Sequence, residues 1–335
     1  MRKVPVVDKN NNPLMPCHPA RARELLKKGR AIYFWRSGIF CIKLLDRSGG
    51  TVQPIVVGID PGSKREGFSV KSQHHTYLNI QSKAVDWVKD KVELRKILRR
   101  GRRTRLAPYR MCRSNKLINK FRLPPSTRAR WQAKLRILTI LKSIFPISDV
   151  VVEDIAARTR KGAKQWNSSF TPLEVGKKWF YKQISNEFTL HLFRGHETKQ
   201  LRDDLGLKKS SQKLADKFES HCVDSWVLAN AIVGGHTKPD NTGLFLLNPL
   251  NRNRRALHDS VPSRNGYRQP RTSQSIWQKG ALVKFREQLY LIGGIGVGNN
   301  SVSLTNMDGK VVQRSRVVSK LRLLDQFNKW GHAYA

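Results

Sequence analysis

At 335 residues, 39% of them apolar, the chain is long enough for more than one domain and for a sizeable core. Its 64 lysines and arginines against 24 acids leave a net charge of +40, which asks for a polyanionic partner, nucleic acid first. The start MRKVPVVDKNNN lacks the apolar run of a secretory signal, and no stretch reaches the roughly 18 apolar residues of a membrane span. Four scattered cysteines (Cys17, Cys41, Cys112, Cys222) form no C-x-x-C pair, which argues against a disulfide framework and a zinc ribbon and for a reduced, cytosolic setting.

Residues 1–53 read as a small α/β module. Val4–Val7 predicts a strand, Asn10–Pro13 a turn, and Pro19–Lys28 a helix that Pro19 opens and Gly29 stops. Ala31–Trp35 and Ile39–Leu45 predict a hairpin across Ser37-Gly38. The helix face Arg21, Arg23, Lys27, Lys28 and Arg30 is basic, a weak signal by itself.

A core begins at residue 54. In IVVGIDPGS the run Ile55–Ile59 suits a strand buried on both faces, and it ends on Asp60 where Pro61-Gly62 turns the chain. Gly67–Lys71 and Thr76–Gln81 complete an antiparallel meander over 54–82, with His74 and His75 exposed in its polar turn. The next segment, 83–121, is the most polarised: residues 95–113 hold nine basic side chains and no acid. Asp86, Asp90 and Glu93 favour a helix start, so one helix is expected over 84–106 despite Gly101. Its arginines point all round the axis and repel one another unless phosphates surround them. Arg95, Arg99, Arg100, Arg102, Arg103, Arg105, Arg110 and Arg113 are therefore candidate nucleic-acid contacts.

Over 122–243, Pro124-Pro125 breaks the chain. Ser126–Phe145 predicts a helix packed through Leu135, Leu138, Leu141 and Ile144. A strand over 148–153 delivers Glu153, and alternation puts its neighbour Asp154 on the opposite side, so only one of the two can face a site; the family pattern given below favours Glu153. Glu174–Glu187 reads as helix and Thr189–Arg194 as strand. Glu197–Leu205 and Ser211–Phe218 read as helices flanking a Gly206–Ser210 loop that carries Lys208 and Lys209. A last helix, Glu219–Val233, puts His221 and Asp224 on one face. Asp60, Glu153 and Asp224, three acids each at the edge of a buried element, have the character of a divalent-metal site.

In 244–335 the composition shifts. Asn248–Arg271, with Asp259 its single acid, reads as a basic arm, and Arg252, Arg254 and Arg255 are further nucleic-acid candidates. Short strands at Ala281–Phe285, Leu289–Gly293, Ser301–Thr305 and Lys310–Gln313 follow, separated by Gly-Gly, Asn-Asn and Asp308-Gly309 turns. A small SH3-like β-barrel is expected there.

A strand with Asp, a meander, a strand with Glu and a helix with His and Asp resemble the RNase H-like core of RuvC nucleases. Nearly the whole chain resembles the IscB and IsrB group of transposon-encoded, RNA-guided nucleases, relatives of the CRISPR type II effectors. PLMPCHPARARELLKKGRA is similar to that group's N-terminal PLMP module, GIDPGSKREG to the first RuvC motif and LRRGRRTR to the bridge helix. VVVEDIA is similar to the second motif and HCVDSWVLAN to the third. The fold so implied is α/β: a PLMP module (1–53), and an RNase H-like (RuvC) core in segments 54–82 and 122–243 split by an arginine-rich bridge helix region (83–121). A basic arm and SH3-like module that reads a flanking DNA motif follow at 244–335. Residues 154–220 leave no room for the HNH domain of IscB, so the resemblance is to the HNH-lacking IsrB branch. The four-cysteine element of the TnpB family is missing.

That resemblance implies an RNA-guided DNA endonuclease that nicks the displaced, non-target strand. Asp60, Glu153 and Asp224 match ligands of two Mg²⁺ ions, with Mn²⁺ able to substitute, and His221 matches a catalytic histidine that positions water or shuttles a proton. The implied partners are a long guide (omega) RNA and double-stranded target DNA with a short flanking motif. The expected state is a monomeric protein in a ribonucleoprotein, away from membranes, in the prokaryotic cytoplasm at the nucleoid. A guide-independent, structure-specific RuvC-type DNA nuclease would use the same acids, but the PLMP and bridge segments argue against it. A non-catalytic RNA-binding, transposon-associated protein would not need all three.

Overall fold

A computed structural model of the chain describes residues 3–104, 123–156, 171–251, 277–296, 300–326, 328 and 330–334. Arg105, Arg110 and Arg113, and the basic arm with Arg252, Arg254 and Arg255, lie outside them. Two compact units emerge: Met1–Tyr33 with Phe40–Leu247 and residues 334–335, and Phe34–Ile39 with Asn248–Ala333. No helix among the described residues is long and apolar enough to cross a membrane.

The chain runs first through β1 (Val4–Val7), β2 (Pro13–Cys17), α1 (Pro19–Lys27), β3 (Ala31–Arg36) and β4 (Ile39–Leu44), in sheet order β2-β1-β4-β3. The turn expected at Asn10–Pro13 lies earlier, and Pro13 already opens β2. Asp8 is the reason. Its buried carboxylate accepts from the backbone N–H of Asn10 and of Asn12 and from Asn12 Nδ2, so the reversal closes by residue 12.

The core that follows comprises β5 (Ile55–Asp60), β6 (Arg65–Lys71), β7 (Thr76–Lys83), α2 (Val88–Arg103) and α3 (Pro125–Lys142). After these come β8 (Ile147–Asp154), α4 (Pro172–Ser185), β9 (Thr189–Arg194), α5 (Gly195–Asp204), α6 (Phe218–Val233) and β10 (Leu244–Pro249). Within this unit the strands lie in the order β10-β7-β6-β5-β8-β9. The meander β5-β6-β7 is antiparallel, whereas β8 joins β5, β9 joins β8 and β10 joins β7 in parallel. The fold is mixed α/β.

Strand alternation assigns the two faces. Gly58 and Gly67 point at α6 so closely that a Cβ on Gly58 would stand 1.8 Å from the Ser225 carbonyl oxygen, and one on Gly67 2.4 Å from that of His221. Glu66, one residue away, points the other way and meets Lys134 of α3 at 2.5 Å, both side chains buried. The sheet is thus covered by α6 on one face and by α3 on the other, and α4 packs on α3 through Trp131 and Phe180, ring centroids 4.8 Å apart.

Two expectations for this core change. The helix expected over 84–106 begins only at Val88, and its described part ends at Arg103. Residues 211–217, expected as helix, are an irregular loop, and α6 starts at Phe218. The carbonyls of Gln212 and Lys213 bond Ser220 Oγ and the His221 ring instead of helical N–H groups, and Leu214 stays exposed. Strand β10, unread in the sequence, is the buried run Leu244–Leu247.

The second unit holds β11 (Leu282–Phe285), β12 (Gln288–Ile295), β13 (Ser301–Thr305), β14 (Val311–Val317), β15 (Arg322–Asp325) and most of β16 (Trp330–Tyr334). Five of these form an antiparallel sheet ordered β14-β13-β12-β11-β15 over a core of Val283, Phe285, Ile292, Val302, Leu304 and Leu321. Asp308-Gly309 makes the turn into β14, with Gly309 at φ +83°. The hairpin β11–β12 turns on Arg286 and Glu287, both at positive φ, which no glycine announces in the sequence.

Candidate active site

Four elements build the acid cluster. Strand β5 ends on Asp60, and β8, its parallel neighbour, carries Glu153 one step beyond the Ile59–Val152 pair. Helix α6 lies directly under β5 and β6 and brings His221 and Asp224 below the strand end. Helix α5 begins beside Glu153: a Cβ on Gly195 would stand 3.2 Å from Glu153 Oε1. Asp60, His221 and Asp224 are all buried, and Glu153 is half-buried.

His221 Nδ1 stands 2.9 Å from Asp60 Oδ2, and its Nε2 stands 3.0 Å from the Lys213 carbonyl oxygen. Both ring nitrogens face acceptors. A neutral ring carries one N–H, so with Asp60 ionised both bonds form together only in the imidazolium ring. Asp154 is turned away. Its Oδ1 accepts from Lys177 Nζ (2.7 Å) and Tyr181 Oη (2.8 Å), against α4. Alternation along β8 therefore sends Glu153 to Asp60 and Asp154 to a lysine.

Two cations that the sequence did not single out as functional enter the acid cluster. Arg202 Nη1 on α5 bonds Asp224 Oδ1 at 2.6 Å. Lys209 Nζ, from the loop after α5, bonds Asp224 Oδ2 and lies 3.5 Å from Asp60 Oδ2. Charge accounting is the signal that points to such groups, since three acids meeting in a buried place need counter-charge. It does not say which of the many basic residues supply it.

The titration of the cluster follows from these contacts. Burial pushes the Glu153 carboxyl up, and the neighbouring Asp60 charge, a hydrogen bond to Asp60 and then Asp224 push it further, from 4.5 to about 8. Glu153 is thus the acid of this cluster that its surroundings push towards the protonated form. Burial also acts to raise Asp60, but the His221 hydrogen bond, the Lys209 ammonium and the His221 charge outweigh it and hold that carboxyl below its ordinary value. Lys209 is drawn up, its burial outweighed by Asp60 and Asp224.

As donors, three carboxylates and a histidine have the chemistry of a hard-cation site. Their arrangement is another matter. Both oxygens of Asp224 are bonded to protein cations, and among the described residues no three His, Cys, Asp or Glu side chains are placed to hold a metal ion.

Helix α2 is the other candidate surface. From Lys89 to Gly101 its residues are exposed, apolar Leu94, Ile97 and Leu98 included. Arg95, Arg99 and Arg100 form no ion pair among the described residues. Arg102 and Arg103 belong to the same helix by backbone, their side chains lying outside the description.

Among solved structures, the chain is similar to Thermus thermophilus RuvC in complex with a Holliday junction substrate: 16% identity over 55% of this chain and 98% of that one, TM-score 0.27. It is likewise similar to the yeast mitochondrial Holliday junction resolvase Ydc2, with 14% identity over 56% and 87% and a TM-score of 0.28. Residues 4–168, just under half of the chain, match the RRXRR protein family. No curated protein matches the sequence.

Proposed function

We propose that this protein is an RNA-guided DNA endonuclease of the IsrB type, built on a RuvC-type, RNase H-like core, which nicks the displaced non-target strand. The observation that carries the reading is the meeting of Asp60, Glu153, His221 and Asp224 at one end of the core sheet. The RRXRR match supports the guided half of it, because residues 4–168 span the PLMP module, the first RuvC motif, the bridge helix and the second motif. In this reading the cofactor is Mg²⁺, two ions with Mn²⁺ as substitute, and Asp60, Glu153 and Asp224 are its ligands. Such ions supply activation of water and stabilisation of the leaving oxygen. His221, bridging Asp60 and the Lys213 carbonyl, is the group that holds or passes a proton there. The arginines of α2 and the basic arm grip RNA and DNA phosphates, and the C-terminal sheet, read as an SH3-like module, recognises the flanking motif. The complex is a monomeric protein with its RNA at the prokaryotic nucleoid.

The test is a duplex labelled on both strands, with a guide match and candidate flanking sequences, cut by protein carrying its sequenced copurifying RNA. One discrete RNA and a guide-dependent nick in the displaced strand are expected. Asp60→Ala, Glu153→Ala and Asp224→Ala should each abolish the nick while RNA binding persists. Cutting of the guide-paired strand, or RNA-independent cutting of branched DNA, overturns the reading in favour of a different nuclease.

A further inference from the structure

Among the described residues, Lys209 is the one cation that touches two of the three candidate acids. Its ammonium bonds Asp224 Oδ2 and reaches Asp60 Oδ2, the oxygen that His221 also contacts. Arg202 holds only the other oxygen of Asp224. The loop that carries Lys209 is anchored from several sides. Ser210 N–H bonds the Glu219 carbonyl, Gln81 Nε2 bonds the Ala215 carbonyl, and Arg65 pairs with Asp216 at 2.9 Å. Lys209 thus sits on a fixed base, but its own side chain is long, unbranched and about a quarter exposed (27%). It can swing out without disturbing the loop. Arg202, on a helix and 13% exposed, has far less freedom.

We propose that Lys209 is an internal counter-ion that holds Asp60 and Asp224 together, and that a divalent cation enters the acid cluster only by exchanging with it. This rests on the reading of Asp60, Glu153 and Asp224 as a metal site. A metal ion and the ammonium directed at the same two oxygens repel each other at close range, so the two compete for them. Metal affinity is then weakened in proportion to how seldom the lysine is away. Metal binding must also release the ammonium to solvent. Neither consequence follows if Lys209 is only a structural ion pair.

Two measurements test this on the full-length chain freed of nucleic acid. In the first, Mn²⁺ binding is followed by the electron paramagnetic resonance of the free ion, with Asp224→Asn as blank. Lys209→Met should bind Mn²⁺ about tenfold more tightly than the wild type, the factor for a lysine in place nine-tenths of the time. In the second, which needs no variant and so survives a folding defect in Lys209→Met, lysines of the wild type are acylated with and without Mn²⁺ or Ca²⁺ and read by mass spectrometry. Labelling of Lys209 should rise several-fold with metal, while Lys134 and Lys177, paired elsewhere with Glu66 and Asp154, stay unchanged. Metal binding with no rise in Lys209 labelling overturns the exchange and leaves the nuclease reading standing. Failure of wild type and variant alike to bind Mn²⁺ above the blank overturns both.

Discussion

Glu153 is the residue whose ionisation burial and the two neighbouring acids oppose. In the folded chain its carboxyl titrates at about 8 against an ordinary 4.5, so the native state keeps a proton that the unfolded chain has released. A raised acid contributes nothing against stability below pH 4.5. Between there and pH 8 stability falls steadily as pH rises, and above pH 8 the loss is complete. Glu153→Gln mimics the protonated form. With chelator present it should therefore melt near the wild type at pH 5 and above it at pH 9; a gap that does not change with pH would mean that Glu153 ionises freely. At this scale the sequence was legible in part. Asp60, Glu153, His221 and Asp224 could be found because each ends or lines an apolar run. Arg202 and Lys209 could not, because nothing local separates them from Arg194, Lys199 or Lys208, and only the packing of α5 on α6 selects them.

Among the elements, α6 depends most on what is missing from its neighbours. Gly58 and Gly67 are the places where β5 and β6 admit its backbone, and Ser69 Oγ, 2.8 Å from Ser225 Oγ, ties the same contact. A methyl at Gly58 would stand far inside van der Waals contact with the Ser225 carbonyl, and both the strand and the helix would have to give by backbone movement. Gly58→Ala should cost about 3 kcal/mol or more in chemical denaturation. Gly101→Ala meets nothing within 4 Å on an exposed helix and should stabilise α2 by up to about 1 kcal/mol. Equal effects of the two would refute the close-approach account. The meander, α3, β8 and α6 were legible because their apolar runs are residues the fold buries. Residues 211–217 misled because Ser-Gln-Lys-Leu-Ala-Asp-Lys has helix-forming side chains, while tertiary bonds from Ser220 and His221 claim its carbonyls. Strand β15 and Pro13–Cys17 were missed because they are short and carry no alternation.

For the molecule as a whole, the +40 charge is a statement about salt as much as about partners. Each phosphate neutralised releases counterions. If α2 grips phosphate as proposed, changing Arg95, Arg99 and Arg100 together to Gln should reduce the log–log salt slope of the proposed RNA binding by about 0.7 to 0.9 for each phosphate no longer neutralised. A slope identical to wild type would remove α2 from the interface. The loop between α5 and α6 has a different kind of consequence, for how the chain tolerates being lengthened. It has no regular structure and runs over the surface, the profile of a place to graft a reporter or open a new terminus. Yet its backbone gives Lys213 to His221, Gln212 to Ser220 and Ala215 to Gln81. A single residue added there would pull the carbonyl off the histidine and Lys209 off the aspartates together. The Arg286–Glu287 turn, by contrast, holds no such obligations to the acids. A tag belongs at the second place; at the first, a loop by appearance has the length tolerance of a core strand.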